Sequence, residues 1–189
     1  MKEFRLVSSV KICFWILFIS TMVIKISLYV LKRYFDFWLL VGNINGDAIG
    51  FIICVITGII LSTYVFLLFN KIWKKVLVVL VTGLILVISN FFHTFSQCDP
   101  KYFDFKSPNG VNTLVVEEES WLLGGWSNFY LRKNFLFVKG LDKSILTDDG
   151  YRPISNGEYN LSWINEYKIK ITYKVGDGEH IDSEIINLK

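Results

Sequence analysis

IGFIICVITGIILSTYVFLLF, residues 49–69, contains no charged side chain. A helix rising 1.5 Å per residue over such a stretch covers about 30 Å, the hydrocarbon thickness of a bilayer. Two neighbouring runs have the same character, from Val10 to Leu31 and from Val76 to Phe95. Hydrophobic residues make up 52% of the 189-residue chain and mean hydropathy is +0.43, an excess that lies almost wholly before Cys98. Residues 1–98 are therefore predicted to be a membrane region of three transmembrane helices, about 10–31, 49–69 and 76–95.

The first run carries Lys25, close enough to its far end for the aliphatic stem to bring the ammonium to the interface. Its basic lead, Lys2, Arg5 and Lys11, resembles a signal peptide, but no small-x-small cleavage site follows, so retention as an anchor is expected. Residues 1–98 hold nine Lys/Arg against three acids, net +6, whereas the remainder is net −3. The bases flank the apolar runs and form no patch beside stacking aromatics, which argues against nucleic acid.

With the amino terminus inside, six bases (Lys2, Arg5, Lys11, Lys71, Lys74, Lys75) fall on cytoplasmic flanks and four (Lys32, Arg33, Lys101, Lys106) on the opposite side. That bias predicts a multi-pass cell-membrane protein with a cytoplasmic amino terminus and an extracytoplasmic carboxy-terminal domain. Tyr34, Phe35, Phe37 and Trp38 in the first loop, and Trp73 on the other side, are read as rings resting at headgroup level.

Gly42, Gly46, Gly50, Cys54, Gly58 and Ser62 recur every four residues, the spacing that lets helices approach closely in lipid. Each step of four turns the stripe by about 40°, so only two or three members can face one partner. Gly46, Gly50, Gly58 and Ser62 are the candidate packing residues, against helix one or three, with a homo-oligomer face through helix two as the alternative. Cys13 and Cys54 behave as small apolar residues inside helices, and the residues beyond Cys98 contain no cysteine, which excludes a disulfide framework there.

Beyond Cys98 the period changes from helix to strand. YKIKITYKV, residues 167–175, alternates strictly, with Tyr167, Ile169, Ile171, Tyr173 and Val175 facing one way and Lys168, Lys170, Thr172 and Lys174 the other. Gly176-Asp177-Gly178-Glu179 then turns the chain into HIDSEIINL as a hairpin partner. After a linker at 99–110, ending in the turn SPNG, the stretches VNTLVVEEE, NFLFVKG and EYNLSWI also read as strands, and TDDGYRPISNG reads as a loop. Residues 111–189 are thus predicted to form a small all-β domain, an antiparallel sandwich or barrel of six or seven strands, with Trp121, Trp126 and Trp163 as the largest core residues.

VVEEESWLLGGWSNFY, residues 115–130, is the best candidate for chemistry. Glu117 and Glu119 share one face of a strand and Glu118 takes the other; consecutive acids at a strand end suggest a solvated edge more than an acid/base pair. Gly124-Gly125 suggests a bulge or tight bend. Asp148-Asp149-Gly150 and Asp177-Gly178-Glu179 do not continue into a calcium loop, and His93 and His180 suit neither a metal nor a triad. The expectation is of no catalytic residue, no metal and no cofactor, with Glu117, Glu119, Trp121, Trp126 and Tyr130 as a candidate binding surface.

The succession SPNG, LLGGWSNFY, TDDGYRPISNG and YNLSWINEYKIKITY resembles an uncharacterised family of small Gram-positive bacterial membrane proteins, in which amino-terminal helices precede a short β domain. The resemblance covers about the carboxy-terminal half and implies the architecture alone. The function expected is non-enzymatic: an integral membrane protein presenting an extracytoplasmic β domain to a protein or peptide partner, in an immunity or envelope role. The alternative is a membrane sensor-effector whose cytosolic β domain binds a ligand and drives helix assembly.

Overall fold

A computed structural model of the chain describes residues 2–96, 99–176 and 180–188, with side chains from Ile12 onward. Cys98 and the Asp177-Gly178-Glu179 part of the expected turn lie outside the described residues. The chain divides into a helical unit, which includes Gly46–Ser96, and a β unit, which gathers Lys32–Asn45 with the carboxy-terminal half.

Among the described residues, three helices are long and apolar enough to cross a membrane: α1 (Lys2–Phe35, with its apolar span at Ile12–Phe35), α2 (Gly46–Leu68) and α3 (Ile72–Ser96). No described residue of α2 or α3 is buried within the chain, which leaves their apolar surface for lipid. Inside the helical unit, Phe14 of α1 stacks on Tyr64 of α2 at 4.5 Å, and Phe51 of α2 stacks on His93 of α3 at 3.9 Å. Ser62 and Thr82 share a hydrogen bond of 2.7 Å between α2 and α3, so this member of the small-residue series does face helix three. Gly50 and Gly58 have no neighbour within 4 Å of a built Cβ, and Gly42 sits in a turn ahead of α2, at φ +60°. The series therefore makes no continuous close seam within this chain.

The β unit begins earlier than periodicity indicated. Asp36, in the left-handed region at φ 53°, ends α1 and turns the chain directly into β1 (Phe37–Val41), which the two-residue turn Gly42-Asn43 joins to β2 (Ile44–Asn45). β1 then pairs antiparallel with β6 (Phe137–Asp148), Trp38 opposite Val138. Of the aromatics expected at headgroup level in the first loop, Phe37 and Trp38 thus lie in a strand of the sheet, while Tyr34 and Phe35 lie in the last turn of α1. Trp38 is held there by the edge of Tyr130 at 5.7 Å and by the Lys32 ammonium 4.1 Å over its ring.

The remaining strands are β3 (Lys101–Lys106), β4 (Thr113–Trp121), β5 (Gly124–Arg132), β7 (Tyr159–Asn165), β8 (Lys168–Lys174) and β9 (Ile181–Asn187). They form a curled six-stranded antiparallel half-barrel in the order β2-β1-β6-β5-β4-β3 and a three-stranded sheet β7-β8-β9. β3 occupies the segment expected to be linker, paired with β4 from Lys101–Glu118 to Lys106–Thr113.

The alternation of β8 shows directly in burial. Ile169, Ile171 and Tyr173 are buried while Lys168 and Lys170 are exposed; Tyr167 departs from the pattern and is exposed. The buried residues meet Leu114, Val116, Phe129 and Ile145 of the larger sheet in the main core. Burial, then the charges of Asp182 and Glu184, push the Tyr173 phenol up to about 12. The expected tryptophan core is not what forms: Trp121 is exposed, Trp126 is half-buried, and Trp163 packs only at the core's margin. Bulky indoles cap the ends, and aliphatic side chains with Phe129 fill the middle.

The half-barrel's other face holds a second cluster, Leu40, Val115, Tyr130 and Val138. Leu40 comes from the first interhelical segment, so Leu40→Ala is expected to destabilise the carboxy-terminal sheet by about 2–4 kcal/mol, read by denaturant unfolding of the full chain followed by tryptophan fluorescence. An unchanged midpoint would show that β1 is dispensable to the sheet.

Candidate functional site

In an antiparallel sheet, residues directly opposite each other share a face. β4 is a central strand, flanked by β3 and β5, and its odd residues project to one side. The pairings Tyr102–Glu117–Asn128, Glu119–Trp126 and Val115–Tyr130 collect those side chains on that face. Trp126 lies opposite Leu146 of β6, and Asn45 of β2 lies opposite Leu40. The face is thus graded: apolar at Leu40, Val115 and Val138, polar in the middle, and open at Glu119, Trp126 and Leu146.

Glu117 anchors the middle. Only 7% exposed, it accepts hydrogen bonds from the Tyr102 hydroxyl at Oε1 and from the Tyr130 hydroxyl at Oε2, the latter at 2.6 Å, with Asn128 Nδ2 at 3.4 Å from Oε2. Asn45 also bonds Tyr102 through its side chain. Burial, then the Glu117 charge, push both phenols well above the ordinary tyrosine range. The two hydroxyls therefore stay protonated through the physiological range and remain fixed donors to the carboxylate. At the open end, Trp126 Nε1 donates to Glu119 Oε2, and at the other side Arg132 pairs with Asp104 at 2.9 Å.

Glu118 turns to the opposite face, as alternation required, but neither it nor Glu117 is solvated. Glu118 is 0% exposed and accepts hydrogen bonds from the Ile154 and Ser155 amides, both at 2.7 Å, and from the Ser155 hydroxyl at 2.6 Å. The expected acidic strand edge is corrected on both counts: the strand is central, and two of its three carboxylates are buried, each with hydrogen-bond donors at both oxygens. A buried carboxylate is tolerable only with such partners.

The glycine pair also has a definite role. Trp121 pairs with Gly124, so Leu122-Leu123 is a two-residue hairpin turn, with Leu122 at φ 53°. A non-glycine residue held there costs of order 1 kcal/mol. Gly125 is buried where a Cβ would overlap Thr147 Oγ1 and the Tyr151 carbonyl oxygen. Close backbone approach, not a bend, is what requires glycine there.

All five candidate surface residues, Glu117, Glu119, Trp121, Trp126 and Tyr130, come together on this one face. Tyr102, Asn128, Asn45 and Leu146 complete it and were not anticipated. Tyr102 was legible in principle, because KYFDFK alternates Tyr and Asp against two phenylalanines; Asn45 had no signal, since nothing local places the first interhelical segment beside residue 102. Of the histidines, His93 stacks on Phe51 in the helical unit, and the His180 carbonyl accepts from the Val175 amide in the smaller sheet. Set against models of protein families, curated proteins and solved structures, the chain gives no match in any of the three comparisons.

Proposed function

We propose that this integral membrane protein presents its β domain outside the cytoplasm, where the open end of the half-barrel face binds a protein or peptide partner. The observation that carries the proposal is the convergence of Glu119, Trp126 and Leu146 at the open end, next to the fixed Tyr102–Glu117–Tyr130 group on the same face. A carboxylate beside an indole suits a cationic side chain with an apolar stem, held by charge and by the ring face. The prearranged hydrogen-bonded group beside it on the same face lowers the ordering cost of binding.

The side of the membrane rests on the lysine and arginine count. β1 and β3 belong to one sheet, and two apolar helices separate them in the chain, so Lys32, Arg33, Lys101 and Lys106 fall on one side of the membrane if both helices span it. Six bases lie on the other flanks, and they favour the cytoplasm.

A reporter fused after Lys189 should be active only outside, and a photo-crosslinker at Asp148, exposed beside the open end, should capture a partner on intact cells. Glu119→Gln should weaken that capture about tenfold, the loss of one charged hydrogen bond. Reporter activity confined to the cytosol would remove outside display in favour of the sensor-effector alternative, and capture unaffected by Glu119→Gln would remove this face as the binding surface.

A further inference from the structure

We infer that the cavity between the two sheets of the β domain binds a small organic anion, a carboxylate or phosphate carried on an apolar body. The cavity has a volume of about 610 Å³, within the usual size of small-molecule sites. Leu131 and Leu141 of the larger sheet and Leu188, which follows β9, line its apolar part; all three belong to the main core or pack against it. Lys133, Lys139 and Lys143 line the same cavity.

Strand parity places the charges. Along β6, Val138 belongs to the second cluster, whereas Leu141 and Ile145 pack with the main core. The irregularity opposite Phe129 leaves this alternation intact: Asn128 pairs with Ser144 and Tyr130 with Gly140, so one residue of β5 faces three of β6. Lys139 and Lys143 therefore fall on the side of the main core, and so of the cavity, while Asp142 falls on the other side. Lys133, just past β5, has the parity of Leu131. Asp36, the remaining acid on the cavity wall, lies toward the second cluster: a Cβ built on Gly140, opposite Tyr130, meets the Asp36 Cβ at 4.0 Å. The bases are thus gathered on the cavity side and the two acids set apart from them.

Of the three lysines only Lys143 is committed, to Glu184 at 2.9 Å; Lys133 and Lys139 form no ion pair among the described residues. Two ammonium groups at one cavity repel each other. An anion between them removes that repulsion, while its body covers Leu131, Leu141 and Leu188. An ammonium is a compact charge with three rotatable donors, so a carboxylate and a phosphate suit it alike. The site lies on the main-core side of the larger sheet, opposite to Glu119 and Trp126, and is independent of partner binding at the open end.

Fluorine NMR of the full chain in phosphatidylcholine nanodiscs tests the site with para-fluorophenylacetate and para-fluorophenyl phosphate. The neutral and cationic counterparts are para-fluorobenzyl alcohol and para-fluorobenzylamine, and empty nanodiscs are the blank. At least one anion should bind saturably, and which one does so identifies the anionic group. The alcohol and the amine should bind more weakly by about tenfold or more. Lys133→Gln combined with Lys139→Gln should weaken anion binding about tenfold, whereas Lys170→Gln, exposed on the outer face of β8, should leave it unchanged. Absence of saturable binding by both anions would overturn the inference. So would an alcohol or amine that binds as tightly as the anions, or anion binding that the paired substitution affects no more than Lys170→Gln does. Partner capture at Asp148 is read separately, so either proposal can fail without the other.

Discussion

Glu118→Ala should lower the stability of the β domain by about 3–5 kcal/mol, the largest effect expected of any single substitution here. The wild-type carboxylate is fully buried and receives the Ile154 and Ser155 amides and the Ser155 hydroxyl. Truncation leaves two backbone donors without their acceptor and opens a void beside the main core, and those penalties act together. Glu118→Gln keeps the volume and one acceptor oxygen, so its cost should fall to about 1.5–3 kcal/mol. Guanidinium unfolding of the detergent-solubilised chain, followed by tryptophan fluorescence, separates the two. A loss below about 1 kcal/mol for Glu118→Ala would mean that water replaces the carboxylate, contrary to a dry site.

Gly125→Ala should cost about 3 kcal/mol, toward the upper end of what overpacking does. The obstacle is partly backbone, since the added methyl overlaps the Tyr151 carbonyl, which cannot rotate away as a side chain would. The same carbonyl accepts the Thr147 hydroxyl at 2.5 Å, so any shift that admits the methyl also disturbs that bond. Gly124 is the control: its built Cβ comes no nearer than 3.6 Å, to the Trp126 ring, and Gly124→Ala should cost about 0.5 kcal/mol. Equal midpoints for the two variants would refute the close-approach explanation.

How far the sequence carried the fold depended on whether a signal was local. Uninterrupted hydropathy located the helices, although α3 begins at Ile72, ahead of the expected Val76, because lysines 74 and 75 interrupt the apolar run without interrupting the helix. Alternation located β8, whose Ile169 and Ile171 are buried on one face. β1 escaped because FWLLV has no polar alternation; the strand is apolar throughout, and its rings suited a loop resting at headgroup level equally well.

The candidate face was legible in its parity but not in its depth. That Glu117 and Glu119 share a side follows from strand geometry alone. That Glu117 is buried depends on Tyr102, from a segment that gave no strand signal strong enough to be distinguished from linker, and on Tyr130 across the hairpin. Composition makes carboxylates look solvated unless their donors are known, and the donors to Glu118 lie at Ile154 and Ser155, beyond two further strands.

The pairing of β1 with β6 bears on how the protein is made. β1 leaves the ribosome before either α2 or α3, yet its partner Phe137–Lys139 follows both. If either helix failed to cross, the two halves of the sheet would be delivered to opposite sides of the bilayer and Leu40 could not reach Val138. Burial of the second core therefore requires that α2 and α3 be threaded as a pair, because crossing by one alone would leave Leu40 and Val138 on opposite sides with that apolar surface uncovered.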